Sequence, residues 1–482
     1  MSHKTYLGHK GYSIYKESLT LKEQVFIREE LSVKPYMPKS PIQMPAYPIY
    51  RESPKKFYMP RLFGISTFGH PNEIRIDPGK SINVEFKGTL RDNQTVIVEK
   101  YKNYIKENFG GLLDIYCGFG KTVLALKILT VVGLKTLIIV HKGFLMDQWE
   151  ERIRQFIPDA RIGRIQGQVI DIEDKDIVIG MLQSLSMKEY PEDQFAEFGL
   201  TIVDEVHHIS AEIFVRALQK IVTQYTLGLS ATMNRKDGLS KVFKMFLGEI
   251  IHKEKREQDT VVTVKAIEYK VNDEDFNNME YDYRGNPKYS TMISKLCTFN
   301  PRSEYILHII ANELKINNNQ QIIILAHNKN LLVYLFKAIE YRKMASVGYY
   351  VGGMKQKDLK LSENKQIIIA TYSMAAEALD IKTLTTLVLA TPKTDVEQAV
   401  GRILRVKHSS PLIIDIIDQH DIFKKQWGKR RVFYHKNNYK IMHTDDYKSD
   451  NWKEMNKKSS KQIEKELNAF NIPLNKCLIT IS

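Results

Sequence analysis

The sequence has few cysteines and no long apolar run. Its 482 residues include only three cysteines, Cys117, Cys297 and Cys477, which are too few for a disulfide framework or a four-cysteine zinc site. No stretch approaches the roughly 20 apolar residues that a membrane-spanning helix needs. The first six residues lack the apolar core of a secretory signal. These absences predict a soluble intracellular protein with reduced thiols and no membrane partner.

The composition is that of a folded, basic protein. It is 43% hydrophobic and 26% charged, which argues against wholesale disorder, and the length predicts about three domains. The 71 Lys and Arg exceed the 56 Asp and Glu, giving a formal net charge of +15. Such an excess indicates a polyanionic partner, and the alternative is that the lysines only keep the protein soluble.

The positive charge is concentrated at the two ends of the chain. Residues 1–88 contain 14 Lys and Arg against 8 Asp and Glu, and residues 424–482 contain 14 against 6. Nine of the 16 prolines lie in 1–88, which favours extended segments and turns there. Residues 424–440 alternate basic and aromatic side chains, as single-strand binding surfaces do. The alternative is a helix packed on the preceding domain with its lysines reaching solvent.

Between these ends, short apolar runs alternate with amphipathic stretches in two series. Continuous runs such as residues 137–140 are typical of strands buried on both faces of a parallel sheet. The pattern therefore predicts an α/β fold with two doubly wound parallel sheets. The predicted strands are 112–116, 136–140, 176–180, 200–203 and 226–229 in the first series, and 321–325, 348–351, 366–370, 386–390 and 412–417 in the second. The predicted divisions are an N-terminal extension 1–88, domains 89–246 and 301–423, a connector or small insertion 247–300, and a tail 424–482.

A glycine-containing loop follows the first strand of the first series and precedes a helix. Its residues are Gly118, Phe119, Gly120, Lys121 and Thr122. Backbone N–H groups in such a loop can close around phosphates at a helix N-terminus. Lys121 would reach the β- and γ-phosphates, and the Thr122 hydroxyl would ligate Mg²⁺. The eight-residue pattern has glycine where this chain has Ile115, so the match is incomplete.

An acidic pair, Asp204 and Glu205, follows the strand 200–203. A carboxylate at the carboxyl end of a strand beside a phosphate loop can hold Mg²⁺, which is the role predicted for Asp204. Glu205 could then orient and polarise an attacking water. The two elements occur in one α/β series, so their combination predicts a nucleotide-hydrolysing site.

Four ordered motifs resemble those of superfamily 2 helicases of the DExH type. Residues 118–122, 204–207, 230–232 and 398–405 match motifs I, II, III and VI over roughly residues 89–420. The chain most resembles the Xeroderma-pigmentosum-type repair and transcription helicases and their phage and large-virus counterparts. The arm 1–88 is similar to the large cytoplasmic DNA virus group, which includes the poxvirus transcript-release helicases. The resemblance implies two tandem RecA-like domains (P-loop NTPase) with basic N- and C-terminal extensions, using ATP and Mg²⁺.

The resemblance also implies roles for individual residues around the nucleotide. Arg91 and Gln94 precede and open the first helix, where the family places an adenine-reading glutamine. In the second domain, Arg402 and Arg405 share a helix face and would neutralise the transferring phosphoryl group. Gln398 would contact the attacking water or the nucleotide. The resemblance also implies that Asp380, at the end of motif V, binds the nucleotide.

Further matches indicate the nucleic-acid path and the coupling elements. Lys142 in motif Ia, Gln183 and Ser184 in the later first-domain motif, and Thr371 in motif V suit phosphate contacts. The coupling residues are predicted to be His207, Ser230, Ala231 and Thr232.

We therefore expect a helicase or translocase that acts on duplex DNA or an RNA–DNA hybrid, moving 3′ to 5′. Two alternatives stay open: a transcript-release or remodelling factor of a viral transcription complex, with RNA polymerase as partner, and an RNA helicase. A viral protein would lie in the host cytoplasm and the virion, and a cellular one in the nucleus or cytoplasm. A binding module with an inactive motor is disfavoured because the matched catalytic residues are all present.

Overall fold

The computed structural model divides the chain into two compact units, residues 1–256 and 257–482. It describes residues 3–35, 44–116, 118–206, 211–231, 238–254, 261–377, 379, 381–404, 408, 410–449 and 451–455. No helix in these ranges is long and apolar enough to span a bilayer. The predictions for His207, Thr232, Asp380 and Arg405 lie outside the described residues.

The first unit begins with a small five-stranded sheet, in the order β5-β6-β2-β1-β7. Its strands are β1 (Thr5–Gly8), β2 (Gly11–Tyr15), β5 (Arg51–Glu52), β6 (Lys56–Met59) and β7 (Glu73–Ile74), while β3 (Ser32–Val33) pairs with β4 (Tyr47–Pro48). Two helices, α1 (Leu21–Glu30) and α2 (Arg61–Phe68), accompany them. A capping box between Thr20 and Glu23 starts α1, and Pro60 immediately precedes α2. Proline therefore lies outside both helices, which is why its abundance did not exclude them.

This N-terminal region shares its apolar core with the parallel sheet that follows. Tyr12 of β2 belongs to the same buried cluster as Val203. Arg61 is buried and donates from Nη1 to the carbonyls of Thr223 and Gln224, at 2.7 Å each, and burial lowers its pKa to about 10. Residues 3–35 and 44–88, which the sequence predicted as an N-terminal extension, thus pack against the parallel sheet as part of the first unit.

The first parallel sheet has the order β11-β10-β12-β9-β13-β14-β8-β15, and only the β10–β11 pair is antiparallel. Its strands are β8 (Gly110–Ile115), β9 (Thr136–Val140), β10 (Ile162–Gln166), β11 (Val169–Ile170), β12 (Ile177–Met181), β13 (Leu200–Val203), β14 (Tyr225–Ser230) and β15 (Ile250–Glu254). The helices are α3 (Asp92–Asn108), α4 (Lys121–Val132), α5 (Gly143–Phe156), α6 (Leu182–Met187), α7 (Ala211–Leu218) and α8 (Ser240–Leu247). Alternate residues of β9 enter two different apolar clusters, so the sheet is buried on both faces, as predicted.

The second unit repeats this architecture, with the order β18-β19-β17-β20-β21-β16-β22-β23 and one antiparallel pair, β22–β23. Its strands are β16 (Thr263–Tyr269), β17 (Gln321–Ala326), β18 (Val347–Tyr350), β19 (Ile367–Thr371), β20 (Leu384–Leu389), β21 (Leu412–Asp418), β22 (Lys440–Thr444) and β23 (Lys453–Glu454). The helices are α9 (Glu274–Asn277), α10 (Tyr289–Thr298), α11 (Asn300–Ile316), α12 (Lys329–Tyr341), α13 (Gln356–Glu363), α14 (Tyr372–Glu377), α15 (Glu397–Ile403) and α16 (Asp421–Lys436). The α/β prediction with two doubly wound parallel sheets is confirmed.

Two predicted segment boundaries need correction. Within 247–300, β15 joins the first sheet and β16 pairs with β21 of the second, so this segment completes both sheets and is not an insertion. The tail 424–482 begins inside α16, and β22 pairs with β16. Phe423, Trp427, Arg430 and Tyr434 of α16 are buried. The described part of the tail is therefore the packed helix that the sequence left open as the alternative, followed by strands.

Candidate active site

The loop between β8 and α4 has the backbone conformation of an anion-binding turn. Gly118 has φ 92° and Gly120 has φ 96°, values that favour glycine because it has no side chain to clash. A β-carbon on Gly120 would also lie 2.8 Å from Nε2 of Gln94. Helix α4 begins at Lys121, so its first unbonded N–H groups lie at the end of this loop.

Lys121 and Glu205 form an ion pair next to this loop. Lys121 Nζ lies 2.9 Å from Glu205 Oε1, and the side chains are 10% and 19% exposed. Glu205 has φ 49°, a left-handed conformation that is uncommon for a residue with a β-carbon. The sheet thus brings together a lysine and a glutamate that are 84 residues apart in sequence.

Asp204 is more deeply buried than Glu205 and has a different environment. Its Oδ2 accepts a hydrogen bond from Trp149 Nε1 at 2.8 Å, and its Oδ1 accepts one from the backbone N–H of Glu205 at 2.9 Å. Burial and then the neighbouring Glu205 charge raise the pKa of Asp204 to about 6, while Lys121 and Trp149 oppose this rise. The sequence did not identify the contact between Trp149 and Asp204.

Arg91 and Gln94 hold the phosphate loop from the start of α3. Gln94 Nε2 donates to the Phe119 carbonyl at 2.8 Å, and Arg91 Nη2 donates to the same oxygen. Gln94 Oε1 accepts from the Arg91 backbone N–H at 3.0 Å. The side chain of Phe119 is fully buried, with the Arg91 guanidinium 5.0 Å from its ring centroid. Both predicted nucleotide-binding residues of this region therefore contact the loop directly.

The predicted first-domain nucleic-acid contacts lie at the same edge of the sheet as Asp204. Strands β12 and β13 flank β9 and run parallel to it, so their carboxyl ends meet at one edge. Lys142 caps α5 after β9, and Gln183 and Ser184 lie in α6 after β12. Gln183 Nε2 donates to the His141 carbonyl at 3.5 Å, and Ser184 Oγ accepts from the backbone N–H of Gly167 at 2.9 Å.

The remaining predicted residues occupy both units. Ser230 ends β14 with its side chain buried, and Ala231 follows it. In the second unit, Thr371 ends β19 with its Oγ1 3.3 Å from Ser373 Oγ. Gln398 and Arg402 lie in α15, and the buried Arg402 donates from Nη1 to the Leu379 carbonyl at 2.8 Å.

Comparisons with known proteins agree with this architecture. Residues 87–235 match the family model described as "Type III restriction enzyme, res subunit". The chain is 35% identical over 452 residues to "Putative ATP-dependent RNA helicase L396" of Acanthamoeba polyphaga mimivirus, an alignment that covers 91% of this chain and 86% of the relative. The chain belongs to the superfamily 2 helicases of large DNA viruses.

More distant relatives extend this family to other viruses. The helicase is 27% identical over 386 residues to "Putative helicase 161L" of Invertebrate iridescent virus 6, covering 75% of the chain and 85% of the relative. It is 26% identical over 415 residues to "Putative ATP-dependent RNA helicase QP509L" of an African swine fever virus isolate, covering 76% and 78%. The protein is accordingly a nucleic-acid-dependent ATPase of the helicase class that binds nucleic acid and uses ATP.

Proposed function

We propose that this helicase moves 3′ to 5′ along DNA and separates a duplex or an RNA–DNA hybrid. ATP would be hydrolysed at the site formed by Lys121, Asp204 and Glu205. The observation that carries the ATP-hydrolysis part of this proposal is the 2.9 Å contact between Lys121 Nζ and Glu205 Oε1. It brings a phosphate-binding cation and a water-orienting carboxylate to the N-terminus of one helix.

The Lys121–Glu205 pair supplies a switch between a resting and an active site. A γ-phosphate entering at the N-terminus of α4 competes with Glu205 for the Lys121 ammonium. Once Lys121 turns to the phosphate, Glu205 Oε1 can accept a hydrogen bond from the attacking water and polarise it. The Thr122 hydroxyl and the Asp204 carboxylate are oxygen donors suited to Mg²⁺, which would neutralise phosphate charge when bound.

The other matched residues complete the proposed site. Arg91 and Gln94 would read the adenine from α3, next to the loop that they already contact. Gln398, Arg402 and Arg405 would contribute contacts to the γ-phosphate or the water, and Asp380 would contribute to nucleotide binding. Arg402 Nη1 donates to the Leu379 carbonyl, so a contact with the phosphate would use its other N–H groups or a rearranged side chain. Hydrolysis would therefore depend on the second unit as well as the first.

The proposed strand contacts are Lys142, Gln183, Ser184 and Thr371. Side-chain amides, hydroxyls and one ammonium suit the sugar–phosphate backbone and carry no base preference. His207, Ser230, Ala231 and Thr232 would transmit the state of the nucleotide to them. Two relatives carry RNA helicase in their names, so an RNA substrate is the alternative to DNA.

ATPase assays with single-stranded DNA, duplex DNA, RNA and an RNA–DNA hybrid test the proposal. We expect DNA-containing substrates to give the greatest stimulation. Lys121→Ala and Glu205→Gln should each reduce the stimulated rate at least about a hundredfold, whereas Lys127→Ala, six residues further along α4, should retain it. Unwinding of 3′-tailed but not 5′-tailed duplexes would support the direction. Absence of stimulation by every DNA tested would contradict the DNA assignment.

The second candidate function is transcript release or polymerase remodelling by the same ATPase. The motor chemistry is common to both roles, so the site formed by Lys121, Asp204 and Glu205 would serve either one. The helicase should then co-purify with RNA polymerase subunits and release a transcript from a stalled complex only when Lys121 is intact. Its recovery without polymerase subunits would contradict this role.

A further inference from the structure

The N-terminal sheet has one apolar face and one face of tyrosines and cations. Burial alternates along β6, where Phe57 and Met59 face the core while Lys56 and Tyr58 remain partly exposed. In β1 the partly exposed residue is Tyr6. Strand pairing places Tyr6 opposite Ser13 of β2, and Ser13 opposite Tyr58. Tyr6 and Tyr58 therefore lie on the same face, two strands and about 10 Å apart.

A second row of the sheet adds the residues that surround these rings. Tyr15 of β2 lies opposite Lys56, and its ring centroid is 6.1 Å from that of Tyr6. The Lys56 ammonium lies 4.9 Å from the Tyr6 centroid and 4.5 Å from the Tyr15 centroid. It donates to the Tyr6 hydroxyl at 3.1 Å, so its hydrogen-bond partner is a phenol.

Three further cations lie over these rings, so a base that stacks on a ring would take the place of its cation, which could then contact a phosphate. Arg75 lies 3.9 Å from the Tyr6 centroid, Lys4 lies 4.6 Å from the Tyr15 centroid, and Lys10 lies 5.9 Å from the Tyr58 centroid. We define Tyr6, Tyr15, Tyr58, Lys4, Lys10, Lys56 and Arg75 as the tyrosine face.

Carboxylates accompany these outer cations. Arg75 pairs with Glu73 at 2.6 Å, Lys10 with Glu192 at 2.8 Å and Lys4 with Glu17 at 3.7 Å. All six side chains are between 44% and 75% exposed. Such exposed pairs contribute little free energy, so a phosphate could replace each carboxylate at small cost.

We propose that the tyrosine face binds a single strand of nucleic acid, with bases stacked on the tyrosine rings and phosphates contacted by the surrounding cations. Rings and cations that alternate within a few ångströms match the alternation of bases and phosphates along a strand. A duplex keeps its bases stacked on one another and cannot use the rings. An acidic peptide would use the cations and would not stack on the rings. Binding at the tyrosine face lies outside the motor site. It depends neither on the direction of translocation nor on ATP hydrolysis.

Binding to this face can be separated from binding to the motor. Lys121→Ala serves as the background, so that ATP turnover plays no part. A 5-iodouracil oligonucleotide, as DNA and as RNA, should photocross-link to peptides that contain Tyr6, Tyr15 or Tyr58. The DNA and the RNA oligonucleotide should label the same peptides, because the rings stack on bases and do not contact the 2′-hydroxyl. Labelling confined to peptides outside residues 3–88 would overturn the proposal.

Substitutions give the quantitative test in the full-length chain. Tyr6→Ala with Tyr15→Ala should lower single-strand affinity about tenfold or more, while Tyr6→Phe with Tyr15→Phe should stay within about twofold because the rings remain. Tyr283→Ala is the matched control, since Tyr283 is 88% exposed and carries the Arg284 guanidinium 4.9 Å from its centroid. That control should bind normally. Basal ATPase in an otherwise unaltered chain should survive the double alanine change.

A second variant keeps the test valid if the double alanine protein folds poorly. Lys56→Gln retains all three rings and should reduce the slope of log affinity against log salt by about one. An unchanged slope together with unchanged affinity in the alanine variant would overturn the proposal. The proposal would also be overturned if the double alanine variant lost as much affinity for a duplex or for polyglutamate as for a single strand, because those partners use the cations alone.

Discussion

At the level of single residues, the acidic pair after β13 shows how one short motif gives two different carboxylates. Glu205 reaches the Lys121 ammonium at 2.9 Å, whereas Asp204 is held by the Trp149 indole and by the next backbone N–H. Burial raises the pKa of Asp204 to about 6. Because the proposed role of Asp204 needs the ionised carboxylate, activity should fall as the pH drops through this value.

Trp149→Phe tests the part that the indole plays in this pKa. The N–H donor stabilises the carboxylate form, so its removal should raise the Asp204 pKa further. We expect the acid limb of the profile of kcat/KM against pH, which reports the free enzyme, to move to higher pH, with a severalfold loss of kcat/KM near pH 6.5 and little loss at pH 8.5. Trp427→Phe, in α16 of the second unit, should leave the limb in place. An equal loss of activity at every pH would mean that Trp149 contributes packing and does not affect the pKa of Asp204.

At the level of elements, the sequence predicted the continuously apolar central strands. Among the half-buried strands it predicted β18 but missed β10, β15 and β22. The runs at β9, β13, β17 and β19 are continuous and apolar, which is the pattern of central parallel strands. β22, Lys440–Thr444, has only two apolar residues, Ile441 and Met442, and lies in a charged segment, so its composition did not indicate a strand. Trp149 and Asp204 are 55 residues apart, and only the adjacency of β9 and β13 brings them together.

Helix α16 shows why the basic tail belongs to the fold. Arg430 donates to both carboxylate oxygens of Asp415, at 2.8 and 2.9 Å, and both side chains are almost fully buried. Arg430→Ala leaves Asp415 buried without its cation, which should cost about 3–5 kcal/mol of unfolding free energy. Lys429→Ala, at the exposed neighbouring position, should cost less than about 0.5 kcal/mol. Denaturant unfolding of both variants measures the difference, and equal stabilities would contradict a structural role for Arg430.

The β16–β22 pairing should also make the second unit sensitive to acid. A hydrogen bond from His443, together with Lys270, lowers the pKa of Glu268 to about 2. A carboxyl group whose pKa is lowered by folding stabilises the fold at pH values above its ordinary pKa, which is near 4.5 for glutamate. This contribution is lost as the pH falls towards 2. Glu268→Gln should therefore be less stable than the wild type at pH 7, by on the order of 1 kcal/mol, and equally stable near pH 2. Thermal melts at both pH values, with the exposed Glu274→Gln as control, check this.

At the level of the whole molecule, the positive charge at the two ends is divided between folded and peripheral positions. Part of it lies in α16, where Arg430 is buried, and part lies on the tyrosine face. Residues 456–482 contain five lysines against two glutamates. A chain ending at residue 455 keeps every element given above, so it should remain soluble with normal basal ATPase. Its nucleic-acid affinity should show a smaller salt slope if those lysines contact phosphates, and an unchanged slope would assign them to solubility.

Removal of the other end should have the opposite consequence, because residues 3–35 and 44–88 contribute to the core of the first unit. Phe57 and Phe63 belong to the same buried cluster as Phe214 and Phe246 of the parallel-sheet domain. A chain of residues 89–482 would expose that apolar surface and leave the carbonyls of Thr223 and Gln224 without the Arg61 guanidinium. We expect it to aggregate, or to melt well below the chain ending at 455 under identical conditions. A soluble 89–482 protein with full basal ATPase would show instead that the N-terminal region is a detachable module, and that binding on the tyrosine face can evolve independently of the motor.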